Sequence, residues 1–175
     1  MLQLREKDVS TRTLLAWAQA MTAWAKQYGV PFLINDRVDV AMATGAHGVH
    51  MRGDSLPIAK ARQCLGGNRL IGASVHSARE ATQREQEGAD FVVLGPIYDT
   101  PSKREYGAPL GLNALEEASR RCRIPVFAIG GITPSRIEPI KRTGAYGVAV
   151  ISSIFQSASP IETVKYYSTL LGVPA

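Results

Sequence analysis

Short apolar runs alternate along this chain with longer stretches of helical spacing, and most of the runs end in a small polar cluster. The runs fall at 2–5, 31–35, 48–51, 70–74, 90–95, 125–130 and 147–151. Most are rich in Val, Ile and Leu, the pattern of parallel strands covered on both faces. Between them, 11–27 places Leu14, Leu15, Ala18, Met21, Trp24 and Ala25 on one helical face, which Gly29 ends. Further helices are predicted over 77–87, 112–121, 134–143 and 160–171. Ser77 with Glu80 three residues on is a capping-box signature, and Pro134 and Pro160 sit where a first helical turn tolerates proline.

One phrase repeats. Gly45-Ala46-His47-Gly48-Val49, Gly88-Ala89-Asp90-Phe91-Val92 and Gly144-Ala145-Tyr146-Gly147-Val148 each join a helix end to a strand. Repeated β/α units predict an α/β fold of the TIM (β/α)8 barrel type, in a single domain spanning 1–175. Such a barrel has eight strands and typically about 250 residues. Only seven runs are found and they start at the first residues, so the first βα unit is expected to be missing. An open barrel exposes a strand edge that invites association, so a homo-oligomer is one expectation.

Composition narrows the class. The 175 residues are 45% apolar and 20% charged, ordinary for a globular protein. No apolar run approaches the roughly 18 residues of a membrane span, and no export signal opens the chain. Cys64 and Cys122 share no metal-ligand spacing, and isolated thiols point to the cytoplasm. The net charge is +5, but Lys and Arg are scattered, with no basic run and no interleaved aromatic platform. That argues against nucleic acid and suits small anionic substrates.

The polar clusters carry the chemistry. Gln3, Arg5 and Lys7 alternate along a strand end, so a period of two turns an amide and two cations to one side as a polyanion clamp; a solvated strand terminus is the plain alternative. Asn35-Asp36 follows Phe32-Leu33-Ile34, and a carboxylate at a strand's carboxyl end suits Mg²⁺; an Asx turn or helix cap is the commoner use. Asp39 is a rival ligand that falls in the next helix as its cap. Ser74 and His76 alternate on another strand end, as a hydroxyl donor to phosphate and a neutral structural His. Thr100, Ser102 and Lys103 lie in a long loop, 98–111, that reads as a phosphate-gripping lid or as an ordinary polar loop. Gly130-Gly131, with Ile151-Ser152 one unit later, suggests a phosphate site built from backbone amides beside a helix N-terminus. Packing alone is the other reading of the glycines.

Taken together, QLREK, INDR, IGASVHS, GADFVVLGPIYDTPSK, PVFAIGGIT and GVAVISSI resemble the thiamine-phosphate synthase family and its relatives, the thiazole tautomerases. The likeness runs over nearly the whole chain. It implies a transferase that joins hydroxymethylpyrimidine diphosphate to thiazole phosphate, releasing pyrophosphate, with Mg²⁺. It would give Gln3, Arg5, Lys7 and Asn35 contacts to the pyrimidine diphosphate and make Asp36 a Mg²⁺ ligand. Ser74 and Lys103 would hold the diphosphate, and Thr100, Ser102, Gly131, Ile151 and Ser152 the thiazole phosphate. Ser74, Lys103 and Arg5 would be the catalytic groups.

The chain departs from the synthase pattern in places. Synthases carry Gly-Gln-x-Asp after this third run, with the Asp as second metal ligand; here the stretch is Arg52-Gly53-Asp54-Ser55, so Asp54 stands one residue early. Arg104-Glu105-Tyr106-Gly107 and Ser74-Val75-His76-Ser77 look more like the tautomerase branch, yet the His expected there after Gly95 is Pro96. The alternatives are therefore a thiazole tautomerase-like isomerase and a non-catalytic phosphate-ligand-binding relative.

Overall fold

The computed structural model describes residues 1–101 and 107–173, in two compact units. One unit comprises 1–74 and 86–90, the other 75–85 and 91–175.

The first unit alternates strand and helix: β1 (Leu2–Leu4), α1 (Thr11–Gln27), β2 (Phe32–Asn35), α2 (Val38–Thr44), β3 (Gly48–Met51), α3 (Ile58–Leu65) and β4 (Leu70–Val75). The strands pair in parallel in sequence order, with Gln3 beside Leu33, Asn35 beside His50 and Met51 beside Ala73. Phe32, Leu33, Ile34, Val49, Met51 and Ile71 are almost wholly buried. At about 1.5–3 kcal/mol for each large apolar side chain, these runs drive the unit's collapse. Gly48 is small because its neighbour demands it: a Cβ there would lie 2.0 Å from the Leu70 carbonyl oxygen. Ser10 caps α1 by accepting from the Thr13 amide at 3.2 Å. The buried face of α1 is Leu14, Ala18, Thr22 and Ala25, while Trp24 of the predicted face is 62% exposed. Helices α2 and α3 are short, of seven and eight residues, which is why their periodicity is faint in the sequence.

The second unit contains α4 (Ala78–Gln86, through Glu85), β5 (Phe91–Leu94), α5 (Gly111–Arg121), β6 (Val126–Ile129), a 3-10 turn at Pro134–Arg136, α6 (Ile137–Arg142), β7 (Gly147–Ala149), α7 (Ser152–Phe155) and α8 (Pro160–Leu171). Strands β5, β6 and β7 again pair in parallel and in order. Ser77 caps as predicted, its Oγ accepting from the Glu80 amide at 3.1 Å, but the return bond of the box is shifted by one residue: Glu80 Oε2 accepts from the His76 amide at 2.8 Å. Parallel strands in sequence order, each followed by helix, place the chain in the β/α barrel class, with seven strands among the described residues.

The repeated phrase acquires a physical role. Its third residue ties each new strand to the start of the preceding one. His47 donates its amide to the Phe32 carbonyl at 2.9 Å, and its Nδ1 accepts from the Phe32 amide at 3.2 Å. Asp90 donates to Ile71 at 2.8 Å, and its Oδ2 accepts from the Ile71 amide at 2.6 Å. Tyr146 donates to Val126 at 2.9 Å and sets its ring edge-on to Phe127, centroids 5.3 Å apart. All three backbone amides thus make the same junction, which the His47 and Asp90 side chains close with a second bond and Tyr146 backs with a ring contact.

Candidate active site

In the first unit, parallel pairing brings the carboxyl ends of β1–β4 to one edge, and five sequence-predicted groups stand there: Gln3, Asn35, Asp36, Asp54 and Ser74. Gln3 Nε2 donates to Asn35 Oδ1 at 3.0 Å, which brings together two of the expected pyrimidine contacts. Arg5 and Lys7 are exposed, but β1 ends at Leu4. Strand alternation therefore does not extend to them, and a common side for Gln3, Arg5 and Lys7 does not follow from period two. The short pairing of β1 with β2, three residues long, is the reason.

Asp36 takes a left-handed backbone, φ 65, which Asp tolerates better than most residues. Two hydrogen bonds fix it there: its amide donates to the His50 carbonyl at 2.9 Å, and the Arg37 amide donates to the Asn35 carbonyl at 2.8 Å. Arg52, just past β3, meets both candidate metal carboxylates through one nitrogen. Its Nη2 lies 3.4 Å from Asp36 Oδ2 and 3.0 Å from Asp54 Oδ2. Ser55 instead closes the local turn, accepting from the Arg52 amide at 2.7 Å. So the carboxylate that stands one residue early in the sequence reaches the same cation as Asp36. Asp39 is engaged elsewhere: Arg37 grips it with bonds of 2.9 and 2.6 Å. That guanidinium holds the Asp39 carboxyl below its usual pKa. Asp39 is therefore a partner of Arg37 in the first turn of α2, and no side chain caps that helix.

A magnesium site needs one or two carboxylates, with water and phosphate oxygens completing an octahedron. Asp36 and Asp54 fit that need, because two hard oxygen donors already surround a single positive nitrogen. Among the described residues no cluster of three or more His, Cys, Asp or Glu side chains offers a denser metal cage.

Ser74 is half-buried, and its Oγ is hydrogen-bonded to His50 Nε2 at 2.8 Å. His50 is buried inside β3, and the lost hydration pushes its pKa down to about 4. A neutral imidazole therefore orients the Ser74 hydroxyl at neutral pH. His76 has its own partner: its Nδ1 donates to the Gly95 carbonyl at 2.7 Å. Sequence reasoning missed both Arg52 and the partnership of His50 with Ser74; the alternation through Gly48–Met51 was the available signal.

In the second unit the carboxyl ends of β5, β6 and β7 carry Gly95, Gly130 and Val150. Thr100 is half-buried beyond β5; Ser102 and Lys103 lie outside the described residues. The loop bearing them starts and returns at one point, for Leu110 donates to the Pro96 carbonyl at 2.8 Å and Gly111 to that of Ile97 at 3.1 Å. Gly131 has φ 62, and a Cβ would lie 2.5 Å from the Asp99 oxygen, so the glycine is required by packing. Arg136 donates to the Gly131 carbonyl and stacks 4.4 Å over the Tyr98 ring. Buried Tyr167 on α8 donates to the Ile132 carbonyl at 3.1 Å and is 3.0 Å from Ser153 Oγ. That one phenol ties the Gly130-Gly131 segment to α7, where Ser152 stands. Ile151 and Ser152 are both exposed, beyond the end of β7 at Ala149. The helix α7 has four residues, too few for the strong dipole expected beside an anion.

Polar and glycine groups at the carboxyl ends of parallel strands define a β/α-barrel protein with the layout of barrel enzymes. The profile of the thiamine monophosphate synthase family matches residues 1–154. A Geobacter sulfurreducens protein provisionally named thiamine-phosphate synthase is 46% identical over 170 residues, covering 97% of this chain and 80% of that protein. The thiamine-phosphate synthase of Chlorobium luteolum is 45% identical over 165 residues, covering 94% and 78%. Among solved structures, thiamine phosphate pyrophosphorylase from Pyrococcus furiosus superposes with a TM-score of 0.89 at 31% identity, covering 97% of this chain and 81% of that one. The chain belongs to the thiamine monophosphate synthase family.

Proposed function

We propose that this chain is a thiamine-phosphate synthase, a transferase of thiamine biosynthesis that joins hydroxymethylpyrimidine diphosphate to thiazole phosphate and releases pyrophosphate. The observation that carries the reading beyond family membership is the Asp36–Arg52–Asp54 cluster beside Gln3, Asn35 and Ser74 on one sheet edge. That edge holds groups for an anion, a hard cation and a heteroaromatic amide-reading contact in the same unit. The reaction breaks the bond between the pyrimidine methylene carbon and the diphosphate oxygen, whose electron pair leaves with pyrophosphate. The thiazole nitrogen then gives its lone pair to that carbon, forming the thiazolium product.

In this route the protein must neutralise the leaving charge and hold the acceptor. Asp36 and Asp54 would hold Mg²⁺, which when bound offsets the charge of the diphosphate. Gln3 and Asn35 fix the pyrimidine, Arg5 and Lys7 bind the diphosphate, and Ser74 donates its hydroxyl to it; Lys103, outside the described residues, keeps the diphosphate role that the family resemblance implies. In the other unit Gly131, Ile151 and Ser152, with Thr100 and Ser102, hold the thiazole phosphate. Arg136 and Tyr167 support that second site by fixing the loop after β6 to its neighbours. Exposed Leu2, Trp24 and Tyr28 beside β1 support association of copies along that edge. No helix among the described residues is long and apolar enough to cross a membrane. The free thiols of Cys64 and Cys122 support the cytoplasm as the compartment we assign.

The test is direct. Both substrates with Mg²⁺ should yield thiamine phosphate and pyrophosphate, and Asp36→Ala should lower the rate by about 100-fold or more. Isomerisation of a thiazole carboxylate phosphate without metal, and no coupled product, would replace this reading with the tautomerase one.

A further inference from the structure

We propose that Arg52 is an internal counter-cation that occupies the place between Asp36 and Asp54 and competes with the divalent metal for that carboxylate pair. The inference rests on the synthase reading for the identity of the metal, but its geometry does not. One guanidinium nitrogen lies within 3.4 Å of an oxygen from each carboxylate. Asp36 is pinned by its bond to the His50 carbonyl, and Arg52 by the turn its amide makes with Ser55, so the pair is held by backbone. The Nε of Arg52 is buried and meets no acceptor among the described residues. The guanidinium is thus drawn in by the two carboxylates at Nη2, while its buried Nε goes unmatched among the described residues.

A full positive charge between two carboxylates does electrostatically what a metal ion would do there. The two cannot share the space, because like charges at that separation repel and the metal needs the same oxygens. Metal must therefore displace Arg52, and the free protein should bind divalent ions more weakly than the bare carboxylate pair would. Arg52 is a positioning residue for the metal in this scheme, acting through the carboxylates it holds.

Mn²⁺ is the probe, since it takes the same oxygen ligands as Mg²⁺ and its free concentration is read by electron paramagnetic resonance. Titrations are made without substrates on the wild type, Arg52→Met and Arg52→Lys, with circular dichroism confirming each fold. Arg52→Met should bind Mn²⁺ about tenfold more tightly, while Arg52→Lys, which keeps the charge, should stay within about threefold of wild type. Adding Asp54→Asn to Arg52→Met should reverse the gain. Equal or weaker Mn²⁺ binding by Arg52→Met would overturn the proposal, as would an equal gain in Arg52→Lys. If the wild type makes no thiamine phosphate yet Arg52→Met gains Mn²⁺ affinity, the synthase reading fails and the competition stands.

Discussion

Acidification isolates the energetics of His50. The imidazole is buried in β3 with Nε2 on Ser74, and desolvation lowers its pKa from 6.5 to about 4. Between those two values the unfolded chain binds a proton at this site and the folded chain does not. Stability must then rise with pH across the window, so it is fully present above about pH 6.5 and is lost as pH falls toward 4. Below that, both states are protonated and His50 costs nothing further. A difference of this size corresponds to roughly 3 kcal/mol at about 1.4 kcal/mol per pKa unit. That is a large share of the 5–15 kcal/mol or so by which domains are stable. Urea unfolding of the wild type and His50→Gln, at constant ionic strength from pH 7 to 4, measures it. The amide of His50→Gln cannot take up the proton, so the wild type should lose about 3 kcal/mol more than the variant over that range. Parallel stability curves for the two proteins would refute the assignment, because they would show that His50 titrates alike in both states.

Two further substitutions test the scaffold behind each edge. Asp90→Ala removes the acceptor of the Ile71 amide and the only carboxylate among the described residues that Arg62 meets, leaving a backbone donor unmet and a guanidinium held by backbone carbonyls alone; it should cost about 2 kcal/mol in urea unfolding, with Asp90→Asn milder. Tyr167→Phe keeps the ring but loses the bonds to Ile132 and Ser153; it should cost about 1 kcal/mol and raise KM for thiazole phosphate while leaving that for the pyrimidine diphosphate unchanged.

Much of the architecture was legible because the strands are apolar runs closed by Gly or polar residues, and α1 is long enough to show its period. The helices 38–44 and 58–65 were harder to see, since each offers only about two turns. Boundaries failed where pairing ends early: the run 2–5 stops at Leu4, one residue short of the end of β2, and the run 147–151 stops at Ala149, where β6 itself ends at Ile129. The phrase Gly-Ala-x before three strands was visible as repetition. Its mechanism was not, since His, Asp and Tyr share no chemistry that the sequence alone would align. Only the register reveals that each closes the amide junction of the strand before it.

The site was legible as residue types and illegible as partnerships. A sequence lists Asp36 and Asp54 eighteen positions apart, and nothing in that spacing says that one arginine joins them. Nor does it say that Asp39, three residues beyond Asp36, is engaged by Arg37 through a bond of 2.6 Å. The left-handed turn at Asp36 makes that difference: it ends β2 with a bond to His50, beside the strand whose next residues are Met51 and Arg52. One backbone angle thereby decides which carboxylate meets Arg52 and which meets Arg37. The same bond couples Asp36 to His50, whose side chain orients Ser74. Disturbing β3 at His50 should therefore be felt at Asp36 and at Ser74 together, whereas changes to Tyr167 or Arg136 act on the loop after β6.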